Sequence, residues 1–130
     1  MVDPVIVYLD TQVAMWLGEG RVRRIGPKAR KLLEAAQPLL SPIVLLELEF
    51  LHQINRTHVR ARDILRKLEH EMGLQICPLD FPKIVDAALD ETWTRDPFDR
   101  LIVAQAKANG FAPLVSADDE IAAHYPRTVW

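Results

Sequence analysis

Trp93-Thr94-Arg95-Asp96-Pro97-Phe98-Asp99-Arg100 runs directly into the apolar segment Leu101 to Ala108. Asp96 followed by Pro97 reads as an N-cap with proline at the first helical position, and Asp99, three residues after the cap, closes a capping-box-like start. The spacing predicts a helix with an aspartate in its first turn. At about 100° per residue, Asp99 falls on the arc that carries Phe98, Ile102, Val103 and Ala106, with Arg100 and Lys107 opposite. A cap has no need of the apolar face, so an acid placed there points to a second task. For Asp96, simple complementation of the helix dipole is an equal alternative.

Upstream, Val5-Ile6-Val7-Tyr8-Leu9 is a nearly all-apolar run ending at Asp10, the pattern of a central parallel strand covered on both faces. Thr11 to Leu17 reads as a short helix broken at Gly18 and Gly20. Gly26-Pro27 opens another, with Ala29, Leu32, Leu33 and Ala36 on its stripe and Pro38 as its stop. Leu39-Leu40-Ser41 is the next strand candidate, and Ser41-Pro42 a second cap-and-proline pair, opening a helix from Ile43 to about Ile54. On that wheel Glu47 lies amid Ile43, Phe50, Leu51 and Ile54, whereas Glu49 falls on the solvent side. A lone ionised carboxylate on a buried stripe costs several kcal/mol unless paired, protonated or bound to a cation.

Asn55 to Thr57 read as a turn. Val59 to Met72 is a charged amphipathic helix carrying Ile64, Leu65, Leu68 and Met72 inward and ending at Gly73. Leu74 to Pro78 is a third strand, Phe81 to Leu89 a helix with Asp80 near its cap, and Pro113 to Ser116 a fourth strand leading into Ala117-Asp118-Asp119-Glu120. Ile121 to His124 is a short helix, and Thr128 to Trp130 a candidate edge strand. Strands alternating with helices predict a single domain over 1–130, an α/β sandwich on a mostly parallel four- to five-stranded sheet. Ligands of such sheets bind outside the carboxyl ends of the strands. Asp10 and Asp118 follow two strands, while Glu47 and Asp99 sit early on helices starting near that edge, so four carboxylates from distant segments can meet in one cleft.

The composition fits this reading. At 130 residues, 49% hydrophobic and 26% charged, the chain is an ordinary globular one with no apolar run of membrane-spanning length. Met1-Val2-Asp3-Pro4 is too short and acidic for a signal peptide, so the expected location is the cytoplasm. Cys77 is alone, a small buried hydrophobe. The net charge of −2 argues against bulk electrostatic nucleic-acid binding, yet eleven of the sixteen Lys and Arg residues fall in Arg21 to Lys31 and Arg56 to Lys67. Half of the eighteen acids lie between Asp80 and Glu120, a segregation that suits a basic rim around an acidic centre.

Several acids a few ångströms apart raise one another's pKa, and a divalent cation removes the conflict. Hard oxygen donors favour Mg²⁺ or Mn²⁺, whose natural reaction is phosphodiester hydrolysis. His52, His58, His70 and His124 lack metal-like spacing, and no Walker loop, Gly-rich dinucleotide turn or Gly-x-Ser-x-Gly elbow exists.

Tyr8-Leu9-Asp10-Thr11, Ser41-Pro42 through Leu46-Glu47-Leu48, Thr94-Arg95-Asp96-Pro97-Phe98-Asp99-Arg100-Leu101-Ile102-Val103-Ala104-Gln105-Ala106 and Leu114-Val115-Ser116-Ala117-Asp118 together resemble the PIN domain of VapC toxins over essentially the whole chain. The resemblance implies a three-layer α/β/α sandwich and a Mg²⁺-dependent endoribonuclease. It also implies homodimers and a cognate VapB-like antitoxin lying along an apolar groove, to which Met15, Trp16 and the Arg21 to Arg24 run are candidates to contribute. By motif, Asp10, Glu47, Asp99 and Asp118 match the family's four acids, with Asp10 and Asp99 as the principal metal ligands and Glu47 supporting a water or second ion. Asp96 is a second candidate for the third role, and the Asp118-Asp119 doublet leaves the fourth register open. Thr11 and Ser116 are candidates to orient the carboxylates.

Two other classes fit less well. A phosphoesterase outside a toxin–antitoxin system, such as a phosphatase phosphorylated on aspartate, wants Asp-x-Asp after the first strand, where Gln12 stands. A noncatalytic binding module with this fold would be expected to have lost an acid.

Overall fold

A computed structural model describes residues 5–130; the Met1 to Pro4 reading lies outside the described residues. Strand β1 (Ile6–Leu9) is the middle of a five-stranded sheet with β2 (Gln37–Leu40), β3 (Gln75–Ile76), β4 (Leu114–Val115) and β5 (Thr128–Val129), in the order β3-β2-β1-β4-β5. Every pairing is parallel, the expected edge strand included. Tyr8 and Leu9 point to opposite faces and are both 0% exposed, so helices cover both sides and the fold has three layers. Tyr8 also holds the far end together: its hydroxyl lies 2.9 Å from Cys77 Sγ and accepts from Asn109 Nδ2 at 2.8 Å.

Seven helices connect the strands among the described residues: α1 (Thr11–Gly18), α2 (Pro27–Ala35), α3 (Pro42–Gln53), α4 (Ala61–Met72), α5 (Phe81–Ala88), α6 (Pro97–Ala108) and α7 (Asp119–His124). Helix α4 turns Ile64 and Leu68 into the core and ends at Gly73, whose φ of 67° is the left-handed cap expected there. Starting at Ala61, it is two residues shorter than its apolar pattern. Glu49 is not the free solvent acid its wheel position predicts: it bonds Arg60 at 2.8 Å and accepts from the Ala61 N–H at 3.3 Å, capping α4 from a neighbouring helix.

Pro38 does not act as the stop of α2, which already ends at Ala35, but lies buried inside β2 opposite Val7. The strand tolerates it because donors alternate sides. The Gln37 N–H bonds Val5 on the β1 side, so the missing donor of Pro38 faces β3, whose pairing begins only at Leu39. Gln37 Nε2 fills that margin through the Gly73 carbonyl at 2.8 Å.

Helices α1 and α4 approach closely at Gly18, where an added Cβ would lie 2.7 Å from both Ile64 Cγ1 and Cγ2. A glycine-to-alanine change in a helix ordinarily stabilises by about 0.5–1 kcal/mol. Here Gly18→Ala is expected to destabilise by about 1–3 kcal/mol, because the branched Ile64 has no room to withdraw. Thermal melts should show a lower midpoint, with partial recovery in the Gly18→Ala, Ile64→Val double variant.

Candidate functional site

The strand order reverses between β1 and β4, and the crevice at their carboxyl ends is the ligand position of an open parallel sheet. Asp10 stands there. Its N–H bonds the Val115 carbonyl at 3.0 Å, extending the ladder one residue beyond Leu9, and its side chain is 7% exposed. Oδ1 accepts from the Thr11 N–H at 2.8 Å, and Oδ2 from Ser116 Oγ at 2.7 Å. Thr11, the first residue of α1, donates its hydroxyl to Glu47 Oε1 at 2.5 Å. One chain of bonds thus links β4, β1, α1 and α3. Ser116 Oγ also accepts from the Asp118 N–H at 3.1 Å, fixing the residue that follows β4.

Asp96 caps α6 as its sequence predicts, with Oδ1 accepting from Phe98 N–H at 2.8 Å and Asp99 N–H at 3.3 Å. The reciprocal half of the capping box is not made. Thr94 Oγ1 takes the Asp96 N–H at 3.1 Å instead, and the Asp99 carboxylate turns to the cleft. Asp118 caps α7 in the same manner, both bonds falling on Oδ1. Each cap leaves its second oxygen for the cleft.

The cleft, about 290 Å³, is lined by Asp10, Glu47, Asp96, Asp99 and Asp118, together with Thr11, Gln12, Met15, Leu51 and Arg56. Asp119, exposed in the first turn of α7, is not among its walls. A larger cavity of about 590 Å³ between α3 and α4 gathers only Glu49, already held by Arg60, and Asp63 as acids, so size does not mark the chemistry.

Glu47 reaches the cleft for a different reason than its wheel suggests. Val44 and Leu48 are the buried residues of α3, while Phe50 and Ile54 are each 46% exposed. The Glu47 side is therefore the wall of a cleft, not part of the core. Phe50 stacks on Phe98 of α6 with centroids 6.4 Å apart, tying α3 to α6. Met15 and Leu51 are further walls. Arg56 is a lining residue that the acid pattern does not reveal; the turn predicted at Asn55 to Thr57, folding back on the helix that carries Glu47, is the signal for it.

Burial raises the pKa of Asp10 above the usual carboxylate range against the opposing pull of Ser116 and Thr11, with Asp118 and Asp96 raising it further. Glu47 is raised by burial as well, then by Asp10 and Asp96. Asp99 is pushed up to about 7, by burial first and then by Asp96, Asp10, Asp118 and Glu47. Among the described residues no three acidic, histidine or cysteine side chains converge into a ready-made cation cage. The donor set nonetheless fits a hard divalent cation: the acids offer carboxylate oxygens, they repel one another, and among the described residues neither histidine nor cysteine lines the cleft.

A family model described as the PIN domain matches residues 7–126. A chain of a toxin–antitoxin complex from Klebsiella pneumoniae superposes with a TM-score of 0.66 at 19% identity, over 95% of this chain and 96% of that one. A chain of VapBC2 from Rickettsia felis, crystallised bound to a DNA fragment from their promoter, gives 0.63 at 17% identity, over 96% of each. At these identities the two structures establish a shared fold. No curated protein matches the sequence.

The unfolded chain releases the Asp99 proton near 3.8, the folded chain only near 7. Between those values the folded state binds more protons, so the cation-free protein is expected to lose stability as pH rises from about 4 to about 7. Asp99→Asn should flatten that slope and, after allowance for solvent screening at this half-buried position, stabilise the cation-free protein at pH 7.5 by on the order of 1 kcal/mol. Melting curves across pH, in chelator, read this as a gain of about 3–5 °C.

Proposed function

Since the chain belongs to the PIN domain family, whose members are generally nucleases, we propose that it is a Mg²⁺- or Mn²⁺-dependent endoribonuclease, the toxin of a type II toxin–antitoxin pair. The observation that carries this reading is the gathering of five carboxylates at the β1/β4 crevice, three of them with raised pKa values. Asp10 and Asp99 are the principal cation ligands, with Asp96 and Asp118 able to offer their uncapped oxygens. Asp119 is left outside this set. Thr11 and Ser116 hold Glu47 and Asp10 in position. Such an ion, when bound, would neutralise the phosphate, activate a water and steady the leaving oxygen.

The chain's own residues do the rest. Glu47 is anchored through Oε1 by Thr11, which aims its carboxylate into the cleft as a proton acceptor, and burial raises its pKa above the ordinary value. A single domain over residues 1–130 carries the activity. The likeness to a chain of a toxin–antitoxin complex and to a chain of VapBC2 supports an antitoxin as partner. A homodimer acting on RNA in the cytoplasm completes the reading, and no helix among the described residues is long and apolar enough to cross a membrane.

Purified protein is expected to cleave RNA with Mg²⁺ or Mn²⁺ and to stop in chelator. Asp10→Asn and Asp99→Asn should each lower the rate by about 10²-fold or more with circular dichroism unchanged, since each removes charge where the cation and the developing phosphate charge are stabilised. Undiminished cleavage in chelator, or in both variants, contradicts the assignment. For the toxin role, expression alone should arrest growth, and co-expression of the product of a small adjoining reading frame should relieve it.

A further inference from the structure

Among the described residues Arg56 is the one cation lining the cleft, which also holds five carboxylates, and it takes part in none of their ion pairs. Four residues on, Arg60 shows the contrast, fixed to Glu49 at 2.8 Å. The backbone that carries Arg56 is held on both sides. Asn55 reverses the chain in the left-handed region, with φ of 62°, and the Arg56 N–H bonds back to the Leu51 carbonyl at 2.8 Å. On the other side Thr57 is buried at 3% exposure, its hydroxyl donating to Glu19 Oε2 at 3.0 Å, and His52 Nδ1 donates to its carbonyl at 3.2 Å. The loop is pinned while the guanidinium stays exposed at the rim.

We propose, resting on the nuclease reading above, that Arg56 binds a phosphodiester group of the RNA strand entering the cleft. A polyanion approaching five acids is repelled by each that is ionised, and a cation held in the floor answers only part of that charge. A guanidinium at the lip supplies the missing attraction, and its planar fork fixes the orientation of two phosphate oxygens at once. The pinned loop lowers the ordering cost of binding. That Arg56 does not collapse onto a neighbouring carboxylate leaves its donors available to the strand.

The test compares the full-length protein with Arg56→Ala and Arg56→Lys on a single-stranded RNA oligonucleotide in Mg²⁺. Binding is measured in parallel on the Asp10→Asn background across salt concentrations. Arg56→Ala is expected to raise KM about 10-fold or more, as for loss of a charge-assisted hydrogen bond, with a smaller change in kcat and an unaltered melting temperature. The slope of log K against log salt should become shallower by about 0.7, the loss of one phosphate contact on a single strand. Arg56→Lys should restore the slope and only part of the KM. An Arg56→Ala protein with the parent's KM and salt slope overturns the proposal, as does a loss of activity confined to kcat or accompanied by a lowered melting temperature. If the parent itself cleaves and binds no RNA, the nuclease reading fails, and this inference fails with it.

Discussion

Asp10 is a buried carboxylate with both oxygens bonded, and the arrangement of the rest of the molecule follows from keeping it so. A carboxylate without such partners at this depth would cost several kcal/mol or take up a proton permanently. The Thr11 N–H is available because Asp10 directly follows β1 and is the N-cap of α1, and the Ser116 hydroxyl because β4 lies directly beside β1. The same two neighbours reach outward, Thr11 to Glu47 and Ser116 to Asp118. The crossing point of the sheet therefore sets the positions of the acids contributed by α3 and by the loop after β4.

The price of that gathering is electrostatic. Burial and mutual repulsion raise Asp10, Glu47 and Asp99 together, and the walls contain Arg56 but no basic side chain paired with an acid. Elsewhere the chain treats charge conventionally. Buried Glu91 is satisfied by Lys107 at 2.5 Å and by Trp93 Nε1 at 2.7 Å, and Glu49 by Arg60. At the β1/β4 crevice the repulsion is left standing, the local conflict expected where a fold gives up stability for a site.

Much of this was legible in the chain itself, because the decisive residues sit where local rules leave them unexplained. An apolar run stopping at Asp10, and an aspartate on the inner arc of a helix at Asp99, both mark the cleft without tertiary information. Other features depended on partners that a single element does not contain. The wheel of α3 places Glu47 on an apolar stripe, but whether that stripe meets core or cleft is decided by α6, which leaves Phe50 and Ile54 partly exposed. Pro38 reads as a helix stop because its missing donor looks prohibitive in a strand; only the late start of β3 makes it harmless. The capping box at Asp96 and Asp99 is half made because Thr94 competes for the same N–H. Arg56 is one of many arginines in the sequence, and only the fold of the 55–57 turn against Leu51 and Glu19 distinguishes it.

Calorimetric titration of Mn²⁺ into the protein at pH 7, repeated in buffers of different ionisation enthalpy, tests most directly whether these acids form one cation site. Asp99, pushed up to about 7, must release its proton when a cation binds. The account predicts saturable binding accompanied by proton release, with both lost in Asp10→Asn. Absence of saturable binding, or binding that persists in that variant without proton release, would contradict it.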